Sequence, residues 1–236
     1  MVIIKLSRNL FSIFAAETKH FDMNKTIELV NEWGRFEEKH PNGSIADFCR
    51  YFLAHQDKGP EHEGTLVGGV VPYLKEGLLL KIIGRISKLN MLYANIALKG
   101  TGLNQIEEFG ILQTIRQEKS PRKTDVIYAN LFELSSGTDM LNRMQKRGLI
   151  TEYADEHDKR SKRLELTGKG EKVATQSSEQ IKKNAIMLMH TLAGDDQELC
   201  IQLLKGIEIK LSEQWQKHKG KDFAEIYAGL IGEREV

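Results

Sequence analysis

The residues best suited to chemistry in this 236-residue chain are cations and short polar donors gathered between Arg122 and Lys172. Arg122, Lys123, Arg143, Lys146, Lys159, Arg160 and Lys162 supply positive charge. Ser135, Ser136, Thr138 and Asn142 supply hydroxyls and an amide, and Asp158 stands two residues before Arg160. From Arg143 to Lys172 nine Lys or Arg face six acids, a local excess of three, whereas the whole chain carries a net charge of only +1. Such a set is fitted to a polyanion: cations and donors face phosphates while a few polar side chains reach base edges. A nearly neutral chain can do this only by concentrating its cations on one face.

The elements that must position these residues are legible as short helices and a hairpin. Ser120 reads as an N-cap with Pro121 at the first helical position of a helix running toward Leu131. Ser136 and Asp139 have the spacing of a capping box that opens the next helix. Met140, Leu141 and Met144 form its buried side, and Gly148 follows its end. Residues 151–154 and 162–166 read as strands, the second from the alternation of Leu164 and Leu166 with Arg163 and Glu165. The polar run 155–161 between them is a hairpin tip. Thr167 then caps a long helix whose apolar side carries Ile181, Ala185, Leu188 and Leu192.

Around this element the helical period dominates. Leu79, Ile82, Ile86, Leu89, Tyr93 and Ile96 make a heptad-like seam ended by Gly100 and Gly102. Ile106, Phe109, Leu112 and Ile115 mark a helix of about three turns. A last helix carries Leu199, Leu203, Ile207, Leu211 and Trp215. Upstream, Ile27, Val30, Trp33 and Phe36 recur every three residues, and Ser44 caps a second helix with Ile45, Phe48, Cys49 and Phe52. The resulting division is 1–22 as a possible upstream extension, 23–75 as an N-terminal helical extension and 76–103 as the first long helix. It continues with 104–170 as the reading element, 171–219 as two C-terminal helices and 220–236 as a tail.

Several classes fall away. Two cysteines, Cys49 and Cys200, make neither a disulfide framework nor a metal cluster; both lie on apolar helix faces and are expected as buried thiols in a reduced, cytoplasmic setting. His55 and His62 with Glu61 and Glu63 lack a defined loop to converge on a metal, so none is expected. No nucleophile elbow, phosphate-cradling loop or zinc-protease helix is present, so no enzyme and no cofactor is expected. The apolar run 78–83 is interrupted by Lys81 and far too short to cross a bilayer. Lys5 and Arg8 before Leu10 to Ala16 faintly imitate a secretion signal, but Ile3 and Ile4 occupy its polar start, and Met23 opens a cleaner helical pattern.

The run Leu141-Asn142-Arg143-Met144-Gln145-Lys146-Arg147-Gly148-Leu149-Ile150, then Asp158-Lys159-Arg160, then Leu166-Thr167-Gly168-Lys169-Gly170, resembles the MarR family of transcriptional regulators. The resemblance implies a mainly α fold: a winged helix-turn-helix with a two-stranded β-wing and long N- and C-terminal dimerisation helices. It implies a homodimer, a recognition helix over residues 136–147 in the major groove of a pseudo-palindromic operator, and Arg160 in the minor groove, held by a salt bridge from Asp158. It further implies repression of transcription, relieved by a small aromatic or lipophilic ligand. Asp139 and Gly137 depart from the family pattern. With the near-zero net charge they keep open an alternative, a winged-helix interaction or sensor module that does not read DNA.

Overall fold

A computed structural model describes residues 24–55 and 72–232, which fall into two units described separately. The upstream extension 1–22 with its possible start at Met23, the segment carrying Glu61, His62 and Glu63, and the last four residues lie outside the described residues.

The first unit is a hairpin of α1 (Lys25–Lys39) and α2 (Ile45–His55). Asn24 caps α1 by accepting the Thr26 N–H at 3.0 Å. Ser44 and Asp47 form a reciprocal capping box on α2, each side chain accepting the other's backbone N–H. The expected four-residue stripe of α1 is only half right. Trp33 and Phe36 turn inward onto Phe48, while Ile27 and Val30 are exposed. A strict spacing of three drifts by about 60° per step, so Ile27 and Phe36 end on opposite sides of the helix.

The second unit runs α3 (Lys75–Ala97), α4 (Ile106–Glu118), α5 (Lys123–Ala129), α6 (Leu134–Lys146), β1 (Ile150–Ala154), β2 (Lys162–Leu166), α7 (Gly168–Met189), α8 (Gly194–His218) and α9 (Phe223–Ile231). Its core gathers Leu98 after α3, Leu112 and Ile115 of α4, Val126 and Ile127 of α5, Leu141 and Met144 of α6, and Leu164 of β2. Each such side chain, fully removed from water, stabilises the fold by about 1.5–3 kcal/mol. The strands pair antiparallel from Ile150 opposite Leu166 to Ala154 opposite Lys162.

Several elements differ from expectation for identifiable reasons. Residues 220–236 are not a plain tail, because Asp222 caps the helix Phe223–Ile231. The buried stripe of α7 is Gly170, Val173, Ala174, Ser177 and Asn184, while Ala185 is exposed. Small residues allow α7 to lie close against α3, where Asn184 donates to Asn90 at 2.9 Å. Cys49 and Cys200 are exposed rather than buried, with no covering contact among the described residues. Leu79, Ile86, Leu89, Tyr93 and Ile96 of α3 are likewise more than a third exposed, and α8 has no buried residue at all.

Candidate nucleic-acid interface

Two helices and a hairpin build this region, and backbone geometry fixes how they meet. The turn between α5 and α6 is tight: Leu131 adopts a left-handed φ of 57°, and the Phe132 N–H reaches back to the Ile127 carbonyl. This turn overrides the sequence capping signal. Helix α6 begins at Leu134 with Glu133 as N-cap, and no side chain caps it. Ser136 therefore lies inside the first turn, donating to the Glu133 carbonyl at 3.1 Å, and Asp139 makes no capping box with it. Ser120 does not cap α5 either. It has φ 71°, Arg122 is the N-cap, and the Pro121 carbonyl accepts the Leu164 N–H of β2 at 3.0 Å. Residues 120–122 thus run beside the wing, joined to it by an isolated antiparallel bridge between Arg122 and Arg163.

Gly137 has a structural cause that the sequence does not show. A Cβ there would lie 2.6 Å from Cγ2 of the fully buried Ile127, so glycine lets α5 and α6 cross closely. At the far end of α6, Gly148 has φ 70°, its N–H bonds the Gln145 carbonyl and the Leu149 N–H bonds Met144. Together these make a Schellman stop. The Leu166-Thr167-Gly168-Lys169-Gly170 run is explained in the same terms. Thr167 caps α7 by accepting the Gly170 N–H at 2.9 Å, and a Cβ on Gly170 would lie 2.0 Å from the Leu149 carbonyl oxygen.

With Gly137, Met140, Leu141 and Met144 facing inward, the opposite side of α6 displays Ser135, Ser136, Asp139, Asn142, Arg143 and Lys146 to solvent; Thr138 is half-buried at its edge. Lys159 and Arg160 are exposed at the hairpin tip, and Lys162 is exposed on β2.

The cations separate into two groups. Arg147 pairs with the buried Glu108 at 2.6 Å and donates to the Gly102 carbonyl. Lys123 pairs with Glu152 at 2.7 Å, Arg163 with Asp155 at 2.6 Å, and Arg122 approaches Asp155 at 3.7 Å. Among the described residues no ion pair engages Arg143, Lys146, Lys159, Arg160 or Lys162. Structural pairs thus neutralise Glu108, Glu152 and Asp155, while Arg143 and Lys146 on α6 and Lys159, Arg160 and Lys162 on the wing take part in none of them.

Asp158 does not clamp the Arg160 side chain. Its carboxylate accepts the Arg160 backbone N–H at 3.1 Å, which shapes the tip and leaves the guanidinium uncommitted. The acid that organises the wing is Asp155, absent from the sequence-derived set. It is 1% exposed and accepts the backbone N–H groups of His157 and Asp158. The His157 N–H does most to hold its carboxyl below the ordinary carboxylate range. Burial opposes this, and Arg163 and the Asp158 N–H reinforce it. The sequence signal that could have found it is an acid and an arginine at opposite ends of one polar hairpin.

No family model matches the chain, and no curated protein matches its sequence. Solved structures do share its architecture. A cysteine-to-serine variant of MarR from E. coli, complexed with operator DNA, matches with TM-score 0.52 and 21% identity over 55% of this chain and 92% of its own. PcaV from Streptomyces coelicolor, in complex with its natural ligand, matches with TM-score 0.51 and 17% identity over 61% and 97%. A further MarR structure reaches TM-score 0.55 at 14% identity over 65% and 99%. The chain has the MarR winged-helix fold. In MarR-fold terms α5 and α6 are the helix-turn-helix, β1 and β2 the wing, and α3, α7 and α8 the long flanking helices. Among the described residues no helix is long and apolar enough to cross a membrane.

Proposed function

We propose that this protein is a homodimeric, sequence-specific double-stranded DNA-binding regulator of transcription, and not an enzyme. One observation carries the reading. Arg143 and Lys146 on α6 and Lys159, Arg160 and Lys162 on the wing have no acidic partner among the described residues, while neighbouring cations are consumed by internal pairs. A recognition helix and a wing with uncommitted cations fit the major groove and the adjacent backbone or minor groove. The MarR relative of the same fold was solved with operator DNA, which supports this reading.

The dimer follows from uncovered apolar surface. Ile86, Leu89 and Ile96 of α3 and Ile201, Ile207 and Leu211 of α8 are 43–58% exposed. Rows of large exposed apolar side chains on two long helices are the kind of surface that a second copy would cover. Two copies would present two recognition helices to a pseudo-palindromic operator. Repression in the cytoplasm, relieved by a small aromatic or lipophilic ligand, completes the proposal; PcaV's complex with its natural ligand supports a ligand-responsive role.

The test is fluorescence anisotropy on the duplex immediately upstream of the protein's own coding region, over a salt series. Saturable binding whose affinity falls steeply with salt supports the reading. Unsaturable or salt-independent binding overturns it in favour of a sensor module that does not read DNA.

A further inference from the structure

A cleft of about 360 Å³ opens between the end of α5 and the C-terminal half of α8, and its walls include Tyr128, Leu131, Glu208 and Trp215. Two features define its chemistry. It joins aromatic surface to an acid: Glu208 accepts a hydrogen bond from Ser212 at 2.8 Å, and no cation pairs with it among the described residues. Beside it, a cation from this chain already rests on one aromatic wall. The Lys219 ammonium lies 4.4 Å from the Tyr128 ring centroid and 3.8 Å from the carboxylate of Glu133. That distance is within the range where the ring quadrupole attracts a cation.

We propose that this cleft is a binding site for small organic cations, with Lys219 as its built-in competitor. An aryl- or alkylammonium would place its charge against Tyr128 and Glu208 and its apolar part against Trp215 and Leu131. Anionic aromatics would meet Glu208 and Glu133 and be disfavoured. The site rests on these residues alone. It names the ligand class for the release step proposed above, and only its regulatory use depends on that reading, because Glu133 is also the N-cap of α6.

Isothermal titration calorimetry on the full chain tests the site without DNA, with benzyltrimethylammonium as the probe and benzoate as its anionic counterpart. The expected result is saturable binding of the ammonium, with benzoate at least tenfold weaker. Lys219→Ala should tighten ammonium binding severalfold by removing the competitor, and Glu208→Gln should weaken it by a similar factor. Thermal melts establish that each variant is folded. Benzoate binding as well as the ammonium, or Lys219→Ala leaving the ammonium affinity unchanged or lower, overturns the proposal. Failure of the DNA titration would leave these outcomes untouched.

Discussion

Arg163 donates through Nε to the buried Asp155 carboxylate at 2.6 Å while its Nη1 donates to the Ser120 carbonyl, also at 2.6 Å. One side chain on β2 thereby ties the wing tip to the loop that leads into α5. Ser120 is held at φ 71°, a conformation that non-glycine residues keep only where the surroundings fix it. The wing is thus braced against the helix-turn-helix, and its exposed cations project from a fixed base.

Asp155→Asn should remove an acid-dependent part of the stability. The folded-state carboxyl is held below its ordinary value of 3.8, so its stabilisation is complete above that value and disappears as the pH falls through the folded one. Acid titrations followed by circular dichroism should show a shallower acid limb in the variant and lower stability at neutral pH. An unchanged acid limb would count against this role for Asp155.

Gly137→Ala sets two effects against each other. Helix propensity alone favours alanine by about 1 kcal/mol. Against this stands a contact of 2.6 Å with Cγ2 of Ile127, a buried branched side chain with nowhere to move. Overpacking typically costs about 1–3 kcal/mol, so net destabilisation is expected in urea unfolding. The double variant Gly137→Ala/Ile127→Ala, which removes the Cγ1 and Cγ2 atoms that the new methyl would meet, should cost less than the sum of the two single changes. A stabilised single variant would show that the close crossing is not needed.

Arg147→Ala should cost about 3 kcal/mol or more, because it leaves Glu108 charged and 1% exposed without its partner. Arg147→Met combined with Glu108→Gln should cost less than either single change. The salt dependence of DNA binding should keep its slope in folded variants, since this arginine faces the core and not the groove.

Ile86→Glu should convert the dimer to monomer in light scattering coupled to gel filtration, because Ile86 is 46% exposed on the α3 seam. Gel filtration showing the same mass for variant and wild type would move the interface elsewhere.

What could be read from the chain was mostly local. The alternation of Leu164 and Leu166 places β2 at Lys162–Leu166, and Thr167 caps α7 as its type and position indicate. Gly148 stops α6 for the reason its residue type implies. Signals failed where a distant contact overrode a local one. Ser136 and Asp139 have capping-box spacing, yet after the left-handed Leu131 the N-cap is Glu133, three residues earlier. Lys123 reads as a phosphate contact until Glu152, 29 residues away, takes its charge. Asp155 looked like one acid among several in a hairpin tip, because its partners Arg122 and Arg163 meet it only in three dimensions. Gly137 reads as a weak point in α6 until Ile127 is seen to occupy the space a side chain would need.

The decisive measurement compares DNA binding by the wild-type protein and by Arg143→Ala/Lys146→Ala/Arg160→Ala across a salt series on the upstream duplex. Each cation lost from a phosphate contact lowers the slope of log affinity against log salt by about 0.9, so three per chain in a dimer should lower it by about 5. Lys123→Ala, already committed to Glu152, should leave that slope nearly unchanged. A triple variant that binds with wild-type affinity and slope would contradict the assignment of α6 and the wing as the surface that meets DNA.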